Sequence, residues 1–222
     1  MEHIQIKTAA QDQEFELKTD CDCSFKNIPM KRTLFALLFC ANTLAAQVAN
    51  YQSEFNTINK NLMLGLGSYA VSNFVLSGIG YATAEDESIK RFHEMNVMWN
   101  TVNIGLAVPG YLKAVRGGDE MTFEEMVKSQ RKTETIFLIN GVLDVGYITA
   151  GLWMRQNSVN YPDQESLYMG YGNSLILQGA FLFVFDAYAY RLHHSHSKEL
   201  PILKSVSVRA TPTGINLAIN LD

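Results

Sequence analysis

Asp144 and Asp186 are the residues best placed to do chemistry. Each is the one carboxylate in a long apolar run: Ile136–Met154 (IFLINGVLDVGYITAGLWM) and Asn173–Tyr190 (NSLILQGAFLFVFDAYAY). Runs of this length can cross a bilayer, which takes ~20 mostly apolar residues at 1.5 Å each. A carboxyl at that depth costs several kcal/mol unless it faces a protein interior with partners. It can then hold a proton, a cation or a polar ligand, or it can bind neighbouring helices together.

Amides accompany the aspartates at helical spacing. Asn96, Asn100 and Asn103 stand at i, i+4 and i+7, so they share one helical face. Asn140 precedes Asp144 by one turn, and Gln178 precedes Asp186 by two. Asn73 lies in the first apolar run beside Ser72. Lipid cannot satisfy such groups, so the polar stripes are expected to turn inward. Counting helical rise in an up-down bundle gives two polar layers, Asn103/Asp144/Asp186 and Asn73/Asn100/Gln178. Two carboxyls at one level do not both ionise easily. They share a proton, or an amide or cation separates them.

His193, His194 and His196 form a second cluster, with Glu199 beyond. Closely spaced histidines can bind a transition metal or simply end a helix, where a cationic ring complements the dipole. They are weak metal candidates, and no metal is assigned. Cys21-x-Cys23 lacks a second pair of ligands. No phosphate loop, His-Glu-x-x-His or nucleophile elbow occurs, and no cofactor is expected. The three cysteines end at Cys40, so the rest of the chain has neither a disulfide framework nor a thiolate nucleophile. A net charge of −4 without a basic stripe excludes a nucleic-acid surface.

Four apolar segments must position these groups. The first is Asn61–Thr83, uncharged and rich in Gly and Ser, with Ser68 and Ser72 at small-xxx-small spacing. The second runs from about Met95 to Leu112 and contains Pro109. The third and fourth are the aspartate-bearing runs. Gly117-Gly118 breaks the chain, and Thr122-x-x-Glu125 is a capping box that opens a new helix. Phe123, Met126 and Val127 line one side of that helix, which suits either the bilayer surface or contact with the bundle. After Pro201 the apolar residues alternate around Thr211-Pro212-Thr213-Gly214, a hairpin signal.

Met30-Lys31-Arg32, the apolar stretch Thr33–Leu44 and Ala45-Ala46-Gln47 together have the plan of a secretory signal peptide over 30–46. Residues 1–29 form a polar prefix foreign to such a signal, which points to a natural start at Met30. Charge argues against that reading. Lys113, Arg116, Lys128, Arg131, Lys132, Arg191 and Lys198 lie on the side a cleaved signal would export, with only Lys90, Arg91 and Arg155 opposite, contrary to the positive-inside rule. Orientation therefore stays open.

The segments Met95-Asn96-x-x-Trp99-Asn100-x-x-Asn103, Leu143-Asp144-Val145-Gly146-Tyr147 and Gly170-Tyr171-Gly172…Gln178-Gly179…Phe185-Asp186 resemble a bacterial family of four-span membrane proteins described as a domain of unknown function. The resemblance covers roughly residues 51–194. It implies that these Asn, Asp, Gln and Gly positions belong to one architecture, and it brings no activity with it.

The expected fold is all-α, an integral-membrane up-down four-helix bundle over 51–194, with a short β-hairpin-like tail within 195–222. The expected setting is a bacterial inner membrane. The expected partners are the lipid bilayer and a second copy or another protein. Two functions compete. One is a structural or interaction component held by a buried Asn/Asp/Gln network. The other is a small transporter or a ligand-, ion- or proton-binding bundle working through Asp144 and Asp186. An intramembrane enzyme lacks a nucleophile–base set. A cavity reaching the aspartates favours binding or transport, whereas a fully satisfied network favours a scaffold.

Overall fold

The computed structural model describes the backbone of residues 30–200, 206–211 and 214–219, and the side chains over 46–200. The polar prefix 1–29 and the turn at Pro212-Thr213 lie outside the described residues. The chain divides into two compact units, Met1–Cys40 and Ala41–Asp222, and all the side-chain geometry below belongs to the second.

Four helices make up the bundle: α1 (Met30–Thr83), α2 (Glu87–Arg116), α3 (Phe123–Asn157) and α4 (Glu165–Ser197). Two short 3-10 turns join α3 to α4. Farther on, β1 (Val206–Thr211) and β2 (Gly214–Ile219) pair antiparallel, with Thr211 opposite Gly214.

The breaks follow local chemistry. Asp86 caps α2 by accepting a hydrogen bond from the Ile89 N–H. Gly117 ends α2 with φ 76°, and Gly118 follows at φ 65°, backbone that L side chains rarely adopt. Thr122 and Glu125 complete the capping box of α3. The Glu125 carboxyl is held below the usual carboxylate range, first by the hydrogen bond from the Thr122 backbone and then by that from its side chain.

A seven-residue repeat sets the core. On α3 it places Gln130, Phe137, Asp144, Gly151 and Ser158 inside, and along α4 it places Gly172, Gly179, Asp186, His193 and, past the helix, Leu200. Such a repeat keeps one seam facing a partner helix as the two coil around each other. The two seams interlock antiparallel. Gly151 meets Gly172, Gly179 meets the Asp144 carbonyl, and Gln130 donates to the His193 carbonyl at 2.6 Å. A Cβ built on Gly151 would lie 2.6 Å from the Gly172 oxygen, so these backbones touch with no room for a side chain.

The segment carrying Phe123, Met126 and Val127 is the first part of α3 and does not lie apart on a surface. Met126 is buried in a cluster with Val48, Tyr51, Phe55 and Leu200, and Phe123 and Val127 pack against it. Its apolar stripe is covered because α1 extends below the first apolar run. Residues 30–46, expected as a signal peptide, are helical and run on into the rest of α1.

Three helices are long and apolar enough to cross a membrane: Ala46–Thr83, Phe123–Asn160 and Pro162–Ser197. The fourth expected span, on α2, does not reach that standard. Its buried face includes Asn96, Asn100 and Asn103 beside Ala107 and Ala114, and the three amides lower its mean hydropathy. Large apolar side chains nevertheless stand exposed on all four helices, among them Leu76, Val102, Leu106, Leu138, Val142 and Val184.

Candidate functional site

The two polar layers behave differently. The layer nearer the α2 N-terminus is closed. Asn96 is its hub: its Oδ1 accepts from Ser174 Oγ at 2.8 Å and from Gln178 Nε2 at 2.8 Å. Gln178 Oε1 in turn accepts from the Tyr69 hydroxyl at 3.3 Å. Three helices are thus joined through the buried Asn96, Ser174 and Gln178 and the half-buried Tyr69. The spacing argument put Asn100 and Asn73 at the level of Gln178, and neither hydrogen-bonds to it. Asn100 donates to the Asn96 carbonyl on its own helix, and Asn73 donates to the Tyr69 carbonyl. A helical amide can satisfy itself one turn back, so position on a face does not determine its partner.

The second layer is open. Asp144 (2% exposed) and Asp186 (5%) face one another within hydrogen-bonding reach, and Asn140 lies within reach of Asp186. Asn103 approaches Asn100 Oδ1 at 3.5 Å. Asp144 Oδ2 is buried without a hydrogen-bond partner, and so is Trp99 Nε1. A cavity of about 390 Å³ has Asn103, Asn140, Asp144 and Asp186 among its lining residues. Trp99, Tyr147, Phe137 and Phe185 contribute its rings. Trp99 and Tyr147 meet edge to face, with centroids 4.7 Å apart. Sequence spacing found the four polar residues but did not bring Trp99 and Tyr147 to them. Trp99 lies between Asn96 and Asn103, and Tyr147 three residues after Asp144, which is the signal that could have found them.

The histidines separate. His193 is wholly buried, with both ring nitrogens unpartnered, stacked on Phe137 at 5.6 Å and edge-on to Phe55 at 5.3 Å. Burial, assisted by His196, lowers its pKa to about 4, so it is a neutral packing group. His194 points outward to Glu134 at 3.5 Å. His196 stacks on Tyr51, with centroids 3.9 Å apart. The three rings therefore share no single metal position. Among the described residues, Glu54, His196 and Glu199 offer ligand atoms within 4.8 Å of one another. His196 Nδ1 lies 3.8 Å from a Glu54 carboxyl oxygen and 3.5 Å from one of Glu199. Nearby, burial and the charges of Glu134, Glu199 and Glu54 hold the Tyr51 hydroxyl above its ordinary range. It remains a donor to Gln130 Oε1 at 3.1 Å.

The fold and site define a class: a helical bundle with membrane-length apolar helices and a carboxyl pair opening on an internal cavity. Within that class, residues 65–187 match the family of unknown function DUF6992, and the chain belongs to that family. The match includes every amide and carboxyl of the two polar layers and excludes the histidine cluster. No curated protein and no solved structure matches the chain.

Proposed function

We propose that this protein is an integral membrane bundle that binds a small ligand or proton at the Asp144–Asp186 pair and transports it. The observation that carries this reading is the cavity at Asp144, whose Oδ2 atom is fully buried and unpartnered. A scaffold gains little from a carboxyl pair that leaves Asp144 Oδ2 without a partner, since an unmade buried hydrogen bond costs ~1–3 kcal/mol. Two carboxyls in contact also need a proton or a cation between them. The closed Asn96–Ser174–Gln178 layer supports a structural role for that half of the network, and the two roles divide cleanly between layers.

The finer placement belongs to the same proposal: four spans, including α2, in a bacterial inner membrane. The Lys- and Arg-rich ends of α2, α3 and α4 would face the cytoplasm. Protein reconstituted in lipid tests the site by carboxyl-region infrared titration, with Asp144→Asn and Asp186→Asn as references. A pH-sensitive carboxyl band that either variant removes supports the reading. Two aspartates titrating independently, as they would in bulk water, would overturn it.

A further inference from the structure

Two amides and two carboxyls, from α2, α3 and α4, share the cavity lining with residues that are otherwise aliphatic or aromatic. We propose that its ligand is a monovalent organic cation, an ammonium carried on an aromatic or branched apolar body, which reaches the site sideways between α2 and α3. This rests on the reading of the carboxyl pair as a binding site.

Charge selects the sign. Among the described residues lining the cavity there are two carboxyls and two amides, and no Lys, Arg or His. An anion would meet uncompensated carboxylates, whereas an ammonium would meet the Asp144–Asp186 pair with no cationic side chain to compete for it.

Size and lining select an organic ion over a bare one. A hard metal ion takes about six to eight oxygens in close contact. Here four polar side chains edge a space of about 390 Å³, otherwise walled by groups such as Met63, Leu66 and Leu182. That volume lies in the range of small-molecule pockets, ~300–1,000 Å³. The rings of Trp99 and Tyr147 add favourable faces for a cation, each contact contributing up to ~2 kcal/mol when water is absent.

Packing selects the route. α4 packs closely against both α2 and α3, but α2 and α3 make little direct backbone contact with each other. The cavity therefore opens between them. Its rim carries Val102 and Leu106 from α2 and Ile136 and Leu143 from α3, all well exposed on the outer apolar surface. An amphiphilic amine already dissolved in a bilayer meets this opening first.

The chain has two tryptophans, so Trp153→Phe leaves Trp99 as the sole emitter, inside the site. The probe is benzyltrimethylammonium, compared with its neutral carbon isostere neopentylbenzene, on full-length protein in lipid. The expected result is a saturable change in Trp99 emission by the cation alone. Adding Asp144→Asn should weaken it at least tenfold, and Tyr147→Leu, which keeps the acid, several-fold. Thermal melting of each variant establishes that it is folded. Equal responses to the cation and the hydrocarbon, or equal affinity in Asp144→Asn, would overturn the proposal. If the carboxyl bands titrate while the cation leaves Trp99 unchanged, the ligand class is wrong and the carboxyl site stands. If neither responds, both fall.

Discussion

Asn96 Oδ1 on α2 lies 2.8 Å from Gln178 Nε2 on α4, and Ser174 Oγ reaches the same oxygen from one turn earlier. One acceptor thus satisfies two donors, and neither has another partner among the side-chain hydrogen bonds described. Removing that acceptor strands both.

Asn96→Leu is accordingly expected to destabilise the protein by ~1–3 kcal/mol, the cost of unsatisfied buried donors. Gln178→Leu should cost less, because Ser174 keeps its acceptor and the Tyr69 hydroxyl it strands is only half-buried. The double variant should fall short of the sum, since the two share one network. Thermal melting in detergent measures all three.

The other layer predicts the opposite sign. Asp144 already has an unpartnered oxygen, so Asp144→Asn is expected to leave the melting temperature unchanged or raise it while removing the pH-sensitive carboxyl signal. A fall as large as that of Asn96→Leu would make Asp144 structural.

The α3–α4 contact can be probed with glycines that differ only in surroundings. A Cβ on Gly151 meets the Gly172 oxygen, but nothing lies within 4 Å of a Cβ on Gly146. Gly151→Ala should cost ~1–3 kcal/mol from the forced shift of a packed helix. Gly146→Ala should be neutral or mildly stabilising, as alanine favours the helix by ~1 kcal/mol. Equal effects would mean the helices do not touch there.

The seven-residue repeat was open to reading in the sequence, because Gln130, Phe137, Asp144 and Gly151 stand at constant spacing. It passes unnoticed when apolar residues alone are counted, since two of those four are polar and one is glycine. Helix positions, the capping box and the break at Gly117 follow from local chemistry and were legible. The partner of each amide was not. Asn73 and Asn100 each found an acceptor on their own helix, a choice that depends on rotamer and neighbouring volume. The cluster of Val48, Tyr51, Phe55, Met126 and Leu200 joins residues far apart in the chain, so no local pattern announces it.

His193 makes stability depend on pH. Its folded pKa is about 4, against an ordinary 6.5. Between those values the unfolded chain binds a proton that the folded protein refuses, so stability rises with pH there. The melting temperature should hold above pH 6.5 and fall as pH drops toward 4. His193→Phe, in the same aromatic cage, should flatten that part of the profile.

Membrane topology is open to cysteine labelling after Cys21, Cys23 and Cys40 are replaced by Ser. Cysteines at the exposed positions Glu120 and Lys198 should label from one face, and those at Glu85 and Asn160 from the other. Labelling of Glu120 and Lys198 from opposite faces would rule out the four-span arrangement.

The cluster around Tyr51 has a consequence for biogenesis. It joins α1, the start of α3 and Leu200, the last side chain described. A ribosome releases the chain from its N-terminus, so Val48, Tyr51 and Phe55 emerge long before Leu200 does. This end of the bundle closes only when α4 is complete, and any nascent chain stopped earlier leaves an aromatic face uncovered. Such a face is what quality-control proteases and chaperones recognise, so finishing the last helix is what hides the chain from them.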